Sequence, residues 1–166
     1  MKIHPITTKS GKATFSTDVS LLDMKMIHHY LSIDSYWGQG RTYEKVKDSV
    51  ESSFSIGVYI NEQQIGFARL VTDYHFFAYL ADVFILPPYQ GKGYGKELMS
   101  FIKQIPFVSE LKLFCLATKD AHGLYAQYGF DTPSFPEIWM EIRKSNPALE
   151  KLFKEKSKSS ITNETK

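Results

Sequence analysis

A chain of 166 residues is about one domain of ordinary size, and 43% hydrophobic against 23% charged residues provides for a packed core and excludes wholesale disorder. Lys plus Arg number 20 against 18 Asp plus Glu, so the net charge of +2 gives no broad electrostatic reason to bind nucleic acid or an anionic membrane. The single cysteine, Cys115, excludes an internal disulfide and any multi-thiolate metal site.

Residues 1–12 are polar and offer no signal-peptide core. The longest apolar stretch, 76–86, is interrupted by Asp82 and too short to span a bilayer, so a soluble, cytoplasmic protein is expected. Residues 1–17 read as a loose arm or an edge strand. From Asp18 onward Val19, Leu22, Met26 and Tyr30 recur at three- and four-residue spacing, with Leu21 and Ile27 widening the stripe, which predicts an amphipathic helix ending near Ser32. The loop 34–41 breaks that pattern with Gly38 and Gly40. Thr42 can cap a second helix over 43–52.

The period then switches to two. Phe54, Ile56, Val58 and Ile60 predict a half-buried strand, 61–64 a turn and 65–72 the second strand of a hairpin. Residues 79–86 are more uniformly apolar, as a strand buried on both faces would be, and Pro87 and Pro88 stop it because neither can donate to a ladder. A helix over 94–104 follows, with Leu98, Phe101 and Ile102 inward, then a strand over 111–117. Thr118 can cap a short helix over 119–128, and Gly129 suits the left-handed position past its end. Residues 137–143 predict a last strand, and Asn146 before Pro147 a helix start. The composition of 155–166 predicts a frayed tail after a single domain over 1–154.

The stretch most informative about chemistry is Gln90-Gly-Lys-Gly-Tyr-Gly95. Three glycines let the backbone turn tightly with its amides outward, and the helix that starts there adds unpaired amides and the positive end of its dipole. Together they form a phosphate pocket, with Lys92 and Lys96 adding positive charge. The spacing fails G-x-G-x-x-G, whose third glycine would come one residue later. It also fails the Walker loop, whose first glycine is here Gln90 and whose Ser/Thr is Glu97.

The pattern that fits is Q/R-x-x-G-x-G/A, met by Gln90, Gly93 and Gly95. A second pattern, A-x-x-L-Y-x-x-x-G-F, is met by Ala121, Leu124, Tyr125, Gly129 and Phe130. These two motifs, in order and with a strand between them, resemble the GNAT superfamily of N-acetyltransferases, well over 54–143 and loosely over the N-terminal helices. The resemblance implies a mixed α/β fold: a central, mostly antiparallel twisted sheet flanked by helices, with a splayed parallel strand pair at the acetyl-CoA site. It implies acetyl-CoA as co-substrate and no metal. Gln90, Gly91, Lys92, Gly93, Tyr94, Gly95 and Lys96 would hold the pyrophosphate. Val83, Phe84 and Ile85 would face the pantetheine and thioester, with an amide of Phe84 or Ile85 as oxyanion donor, and Thr118 and Tyr128 would add contacts. Many members carry Asn where this chain has Thr118, which leaves one coenzyme contact weaker.

Acetyl transfer to an amine needs a neutral nitrogen, a donor for the oxyanion and a proton for the departing thiolate. Asp82 interrupts an apolar strand, where desolvation would raise its pKa and suit it as the base; the alternative is a carboxylate paired to a structural cation. Asp73 is a weaker candidate. Tyr125 matches the family's catalytic tyrosine and would protonate the sulfur; otherwise it is a core aromatic. The region between the first two helices lines the acceptor pocket in the family, so Tyr36 and Trp37 are candidate walls and Arg41 a partner for an acceptor carboxylate, with a plain loop anchor as the alternative. Residues 74–77 read as pocket wall or dimer contact. His28 and His29 point about 100° apart on a helix and cannot chelate together. His122 reads as solvent-exposed and Cys115 as a small core residue.

The reading is direct acetyl transfer from acetyl-CoA to a primary amine of a small molecule or protein, with no nucleic-acid or membrane partner and a homodimer left open. The competing reading is a coenzyme-binding sensor or partner module without catalysis.

Overall fold

The computed structural model describes residues 4–142. Six strands form one sheet in the order of the sequence: β1 (Thr7–Ser10), β2 (Ala13–Ser16), β3 (Phe54–Ile60), β4 (Gln63–Thr72), β5 (Phe77–Ile85) and β6 (Leu113–Leu116). Every neighbouring pair is antiparallel except β5 and β6, which run parallel. Antiparallel neighbours need only tight turns, whereas the parallel step needs a crossover, and α3 (Tyr94–Gln104) provides it. The mixed α/β fold expected from the sequence is present. Among the described residues no helix is long and apolar enough to cross a membrane.

Residues 7–16 form a hairpin rather than a loose arm, with β2 paired to β3 and only β1 at the edge. The predicted helix over 18–32 is divided. Residues 19–21 make a 3₁₀ turn with Val19 and Leu21 half exposed, and Asp23 then caps α1 (Met24–His29) by accepting the Met26 amide at 3.0 Å. A π-helical turn over Tyr30–Asp34 follows. Leu22, Met26, Ile27 and Tyr30 pack inward as the spacing predicts, but Val19 and Leu21 do not join them, because Asp23 offers the backbone a competing bond that starts a new helix. Thr42 caps α2 (Tyr43–Glu51) as read from the sequence.

The sheet carries a core on each face. Phe54, Ile56, Ile65, Leu70, Leu98 and Ile102 pack with their neighbours between sheet and α3. Ile27, Leu31, Val46, Val50, Phe67 and Phe84 fill the space under α1 and α2. β3 is therefore buried on both faces rather than half-buried, its second face closed by Gly57 and Ser55.

β5 departs from expectation in the other direction. Its first half alternates exposed and buried residues, with Phe77 and Tyr79 on the more open face and Ala78 and Leu80 buried. A bulge then shifts the register: Arg69 pairs Ala81 but Phe67 pairs Phe84, so one extra residue sits on β5, and Asp82 takes φ +52°. The extra residue inverts the alternation. Ala78 and Leu80 face the α3 core, yet Phe84 faces α1 and α2, with Val83 and Ile85 now toward α3.

The predicted helix over 119–128 is shorter, α4 (His122–Ala126), with Thr118 Oγ1 accepting the Ala121 amide just before it; Gly129 holds φ +87° as expected. No strand forms over 137–142, where a 3₁₀ turn at Pro136–Ile138 precedes exposed chain. Arg143, the helix start at Asn146, the boundary near 154 and the tail lie outside the described residues.

Candidate active site

β5 and β6 share four rungs, from Phe77 with Leu113 to Leu80 with Leu116, and then part. Residues 81–85 continue without β6, and a cavity of about 800 Å³ opens where the partner strand leaves. One wall is the end of β5, the other the 116–121 connection and α4, and the loop 34–41 closes the top.

At one end of the cavity is the glycine loop. A 3₁₀ turn at Pro87–Tyr89 ends the strand, and Gln90 Nε2 donates back to the Ile85 carbonyl at 2.7 Å, buckling the loop against β5. Gly91 and Gly93 take φ +74° and +93°, conformations in which a side chain is strained, and no atom lies within 4 Å of where either Cβ would stand. Gly93 occupies the N-cap of α3 and supplies no side-chain cap. The amides of Gly91, Lys92, Gly93, Tyr94 and Gly95 donate to no acceptor among the described residues, and ordinary helical bonding begins with Lys96 and Glu97 to the Gly93 carbonyl. Of these, Gly91, Gly93, Tyr94 and Gly95 line the cavity, and their unpaired donors at the positive end of an eleven-residue helix fit a diphosphate.

The middle of the cavity is aromatic. Tyr125, 8% exposed, lines it beside Tyr79 of β5 and Tyr36 of the covering loop. Burial, reinforced by the neighbouring Tyr36, Asp120 and Tyr79, pushes the Tyr125 phenol up to about 12. This hydroxyl keeps its proton at any physiological pH and can donate it. Tyr36 accepts the Lys119 amide at 3.1 Å, tying the loop 34–41 to the connection before α4 across the cavity mouth.

Asp82 lies deepest. Its side chain is 2% exposed and takes three donors: Arg69 Nε at 2.6 Å, Arg41 Nη1 at 2.9 Å and Trp37 Nε1 at 3.1 Å. Burial alone would raise its pKa, but the Arg69 and Arg41 guanidiniums outweigh burial and hold the carboxyl below the usual carboxylate range. The raised pKa expected for Asp82 is corrected on that ground, and the pairing to cations matches the alternative that the sequence left open. A carboxylate with both oxygens engaged by cations has little appetite for a further proton, and Asp82 instead fixes Arg41 and Trp37 in the cavity wall. Asp73 accepts the amides of His75, Phe76 and Phe77 in an exposed turn, which lower it to about 2.

The loop 34–41 is held from its backbone. Ser35 Oγ donates to the Leu31 carbonyl at 2.6 Å and accepts the Gly38 amide at 3.0 Å, while Ser32 Oγ and His28 Nε2 both donate to the Arg41 carbonyl. A Cβ on Gly38 would stand 2.6 Å from the Leu31 oxygen. Gly38→Ala is therefore expected to displace the loop, raising KM for the acceptor by about tenfold to about a hundredfold while leaving coenzyme affinity unchanged, as steady-state kinetics and calorimetry would show.

Of the residues singled out from sequence, Val83, Phe84, Ile85, Gln90, Gly91, Gly93, Tyr94, Gly95, Thr118, Tyr36, Trp37 and Arg41 line one cavity with Asp82 and Tyr125. Lys92, Lys96 and Tyr128 do not line it. Lys92 Nζ donates to the Pro88 carbonyl outside the loop, and the Tyr128 hydroxyl donates to the Lys96 carbonyl, joining α4 to α3. Cys115 is half-buried and His122 exposed, neither in the cavity. Arg69 and Tyr79 were missed. Arg69 carries a legible signal: it interrupts apolar β4 as Asp82 interrupts β5, and opposite charges in adjacent strands are natural partners.

Comparison with known proteins follows the same outline. The model of the acetyltransferase (GNAT) family matches residues 24–130. A crystal structure of a GNAT-family protein from Xanthomonas campestris pv. campestris superposes with a TM-score of 0.79 at 42% identity, covering 85% of this chain and 98% of that one. A Gracilaria tenuistipitata protein named uncharacterized N-acetyltransferase ycf52 is 33% identical over 125 residues, 72% of this chain and 66% of its own. N-acetylglutamate synthase from Neisseria gonorrhoeae, solved with coenzyme A and N-acetyl-glutamate, shares the fold at 19% identity and a TM-score of 0.62, over 78% of this chain and 31% of its own. With a family model spanning the cavity and its glycine loop, and a 42% identical structure over nearly the whole described chain, this protein belongs to the GNAT family of acetyltransferases.

Proposed function

We propose that this protein transfers an acetyl group from acetyl-CoA directly to a primary amine. The observation that carries this reading is the set of unpaired amides of Gly91, Gly93, Tyr94 and Gly95, which line the same cavity as Tyr125. Bound there, the coenzyme supplies an acetyl group activated as a thioester. The loop amides hold its diphosphate. The exposed edge of 81–85, free of β6, offers the Phe84 and Ile85 region for the carbonyl end. Tyr125, kept protonated up to about 12, holds the proton that the departing sulfur needs.

The acceptor approaches from the loop 34–41. Two guanidiniums face the one carboxylate of Asp82, leaving an excess positive charge in that wall. Arg41 uses one N–H on Asp82 and is 35% exposed, so its other donors are available to an acceptor carboxylate. With Asp82 engaged, the amine's proton leaves through solvent at the open mouth rather than to a buried carboxylate.

Thiol release with a panel of amines, with and without a carboxylate, tests the reading. Turnover with acetyl-CoA supports it; coenzyme binding without turnover on any amine favours a sensor module, and no coenzyme binding overturns both. Tyr125→Phe is expected to lower kcat by about 10²-fold while coenzyme affinity stays within a factor of about two. Equal loss of both would assign Tyr125 to the core alone.

A further inference from the structure

The cavity that would receive an amine already has one of the chain's own on its wall. Among the described residues Lys119 is the one lysine that lines it. It stands in the 116–121 connection, just beyond the last rung that β6 shares with β5, Leu80 with Leu116. The wall it belongs to faces the 81–85 edge, where the two strands have parted.

Two contacts with Tyr36 fix Lys119 there, half-buried. Its amide donates to the Tyr36 hydroxyl at 3.1 Å, and its ammonium lies over the same ring, 5.5 Å from the centroid. That ring packs edge-on against Trp37 at 4.9 Å and is near enough to Tyr125 to help raise its phenol. The ammonium is thus held against a side chain that itself lines the cavity.

A primary amine tethered to the wall of an amine acetyltransferase differs from one in solution in two ways. It meets the acetyl group without losing translational freedom, which gives intramolecular reactions effective concentrations far above those of a free acceptor. Its flexible four-carbon stem can also leave the ring and swing toward β5 while the backbone stays bonded to Tyr36.

We propose, resting on the transferase reading above, that the protein acetylates its own Lys119 when acetyl-CoA is bound and no acceptor fills the cavity. The Lys119 ammonium loses one proton to solvent at the mouth, and the nitrogen lone pair forms the bond to the acetyl carbon. The carbon–sulfur bond breaks, Tyr125 gives its proton to the sulfur, and the phenolate takes the second proton from nitrogen. The products are N-acetyl-lysine and CoASH, with Tyr125 protonated as before. Acetylation removes the positive charge over Tyr36 and leaves only the backbone bond, so the loop 34–41 loses one of its ties across the mouth. An idle, acetyl-charged enzyme thereby loosens the loop that carries Trp37 and Arg41.

The full chain incubated with acetyl-CoA and no added amine, then digested and mapped by mass spectrometry, tests this. One acetyl group on Lys119 is expected ahead of every other lysine, at a first-order rate that dilution of the protein leaves unchanged. Excess CoASH is expected to suppress the label. Lys119→Arg, which keeps a cation over Tyr36, is expected to stay unlabelled, and Tyr125→Phe to slow labelling by about 10²-fold. Equal labelling of other lysines, a rate that scales with protein concentration, or a rate indifferent to Tyr125→Phe would overturn the proposal. An unlabelled Lys119 in protein that binds acetyl-CoA would overturn it as well. Thiol release with an added amine would then leave the transferase reading standing, whereas absence of coenzyme binding in calorimetry removes both.

Discussion

Gly93→Asp is expected to abolish binding of acetyl-CoA and CoASH in calorimetry, weakening it by at least about a hundredfold, roughly 3 kcal/mol or more. Three effects act in the same direction. The backbone at φ +93° disfavours any side chain; the Cβ would stand in open space at a residue that lines the cavity; and a carboxylate at the α3 N-terminus would occupy the donors that a diphosphate needs. Because nothing within 4 Å contacts that Cβ, the core does not resist the substitution, and thermal unfolding should move by only a few degrees, about the effect of 1 kcal/mol of backbone strain. Affinity and stability therefore separate. Unchanged coenzyme affinity in a folded variant would remove the loop assignment and the proposed chemistry with it.

Asp82→Asn has the largest expected effect on stability. The substitution keeps the shape and removes the charge, leaving the Arg69 and Arg41 guanidiniums facing each other beside a buried amide. Breaking a buried ion pair from one side costs about 3 kcal/mol or more, which for a chain of this size corresponds to a fall in Tm of roughly 10 °C. The pH dependence fixes the sign. The native carboxyl titrates below its unfolded value, so its contribution is complete above the unfolded pKa of about 4 and is lost as pH falls through the lower native value. The Tm gap between wild type and variant should be full at neutral pH and narrow below about pH 4. If Asp82 were instead the base, the variant would melt close to wild type and lose the acidic limb of its kcat profile.

What could be read from the residues depended on how local the determinants are. The β3–β4 hairpin, α3 and the glycine loop follow from spacing within about ten residues, and the structure places them within a residue or two of the sequence reading. The Tyr125 helix is recognisable but its start is not, since Thr118 caps the Ala121 turn rather than the helix. The fate of Asp82 was not legible, because its balance depends on Arg41, 41 residues away, and on the register of β4. The break in the first helix was hidden for a different reason: Val19 and Leu21 fit the apolar stripe yet remain exposed, and only the Asp23 cap and the π turn reveal why. Residues 137–142 have the alternation of a strand but pair with no strand among the described residues, so the local pattern yields no strand there.

The single extra residue at Asp82 makes β5 a strand of two parities. Shortening or lengthening the chain by one position between Leu80 and Phe84 would send the phenyl ring of Phe84 toward α3 and the smaller Val83 beneath Tyr30, which now stacks on Phe84 at 3.9 Å. Both cores would be mis-sized at once, one overfilled and the other hollowed. Length changes at this point are thus tolerable only in twos, and variation in the acceptor pocket has to come from the covering loop instead of the strand beneath it.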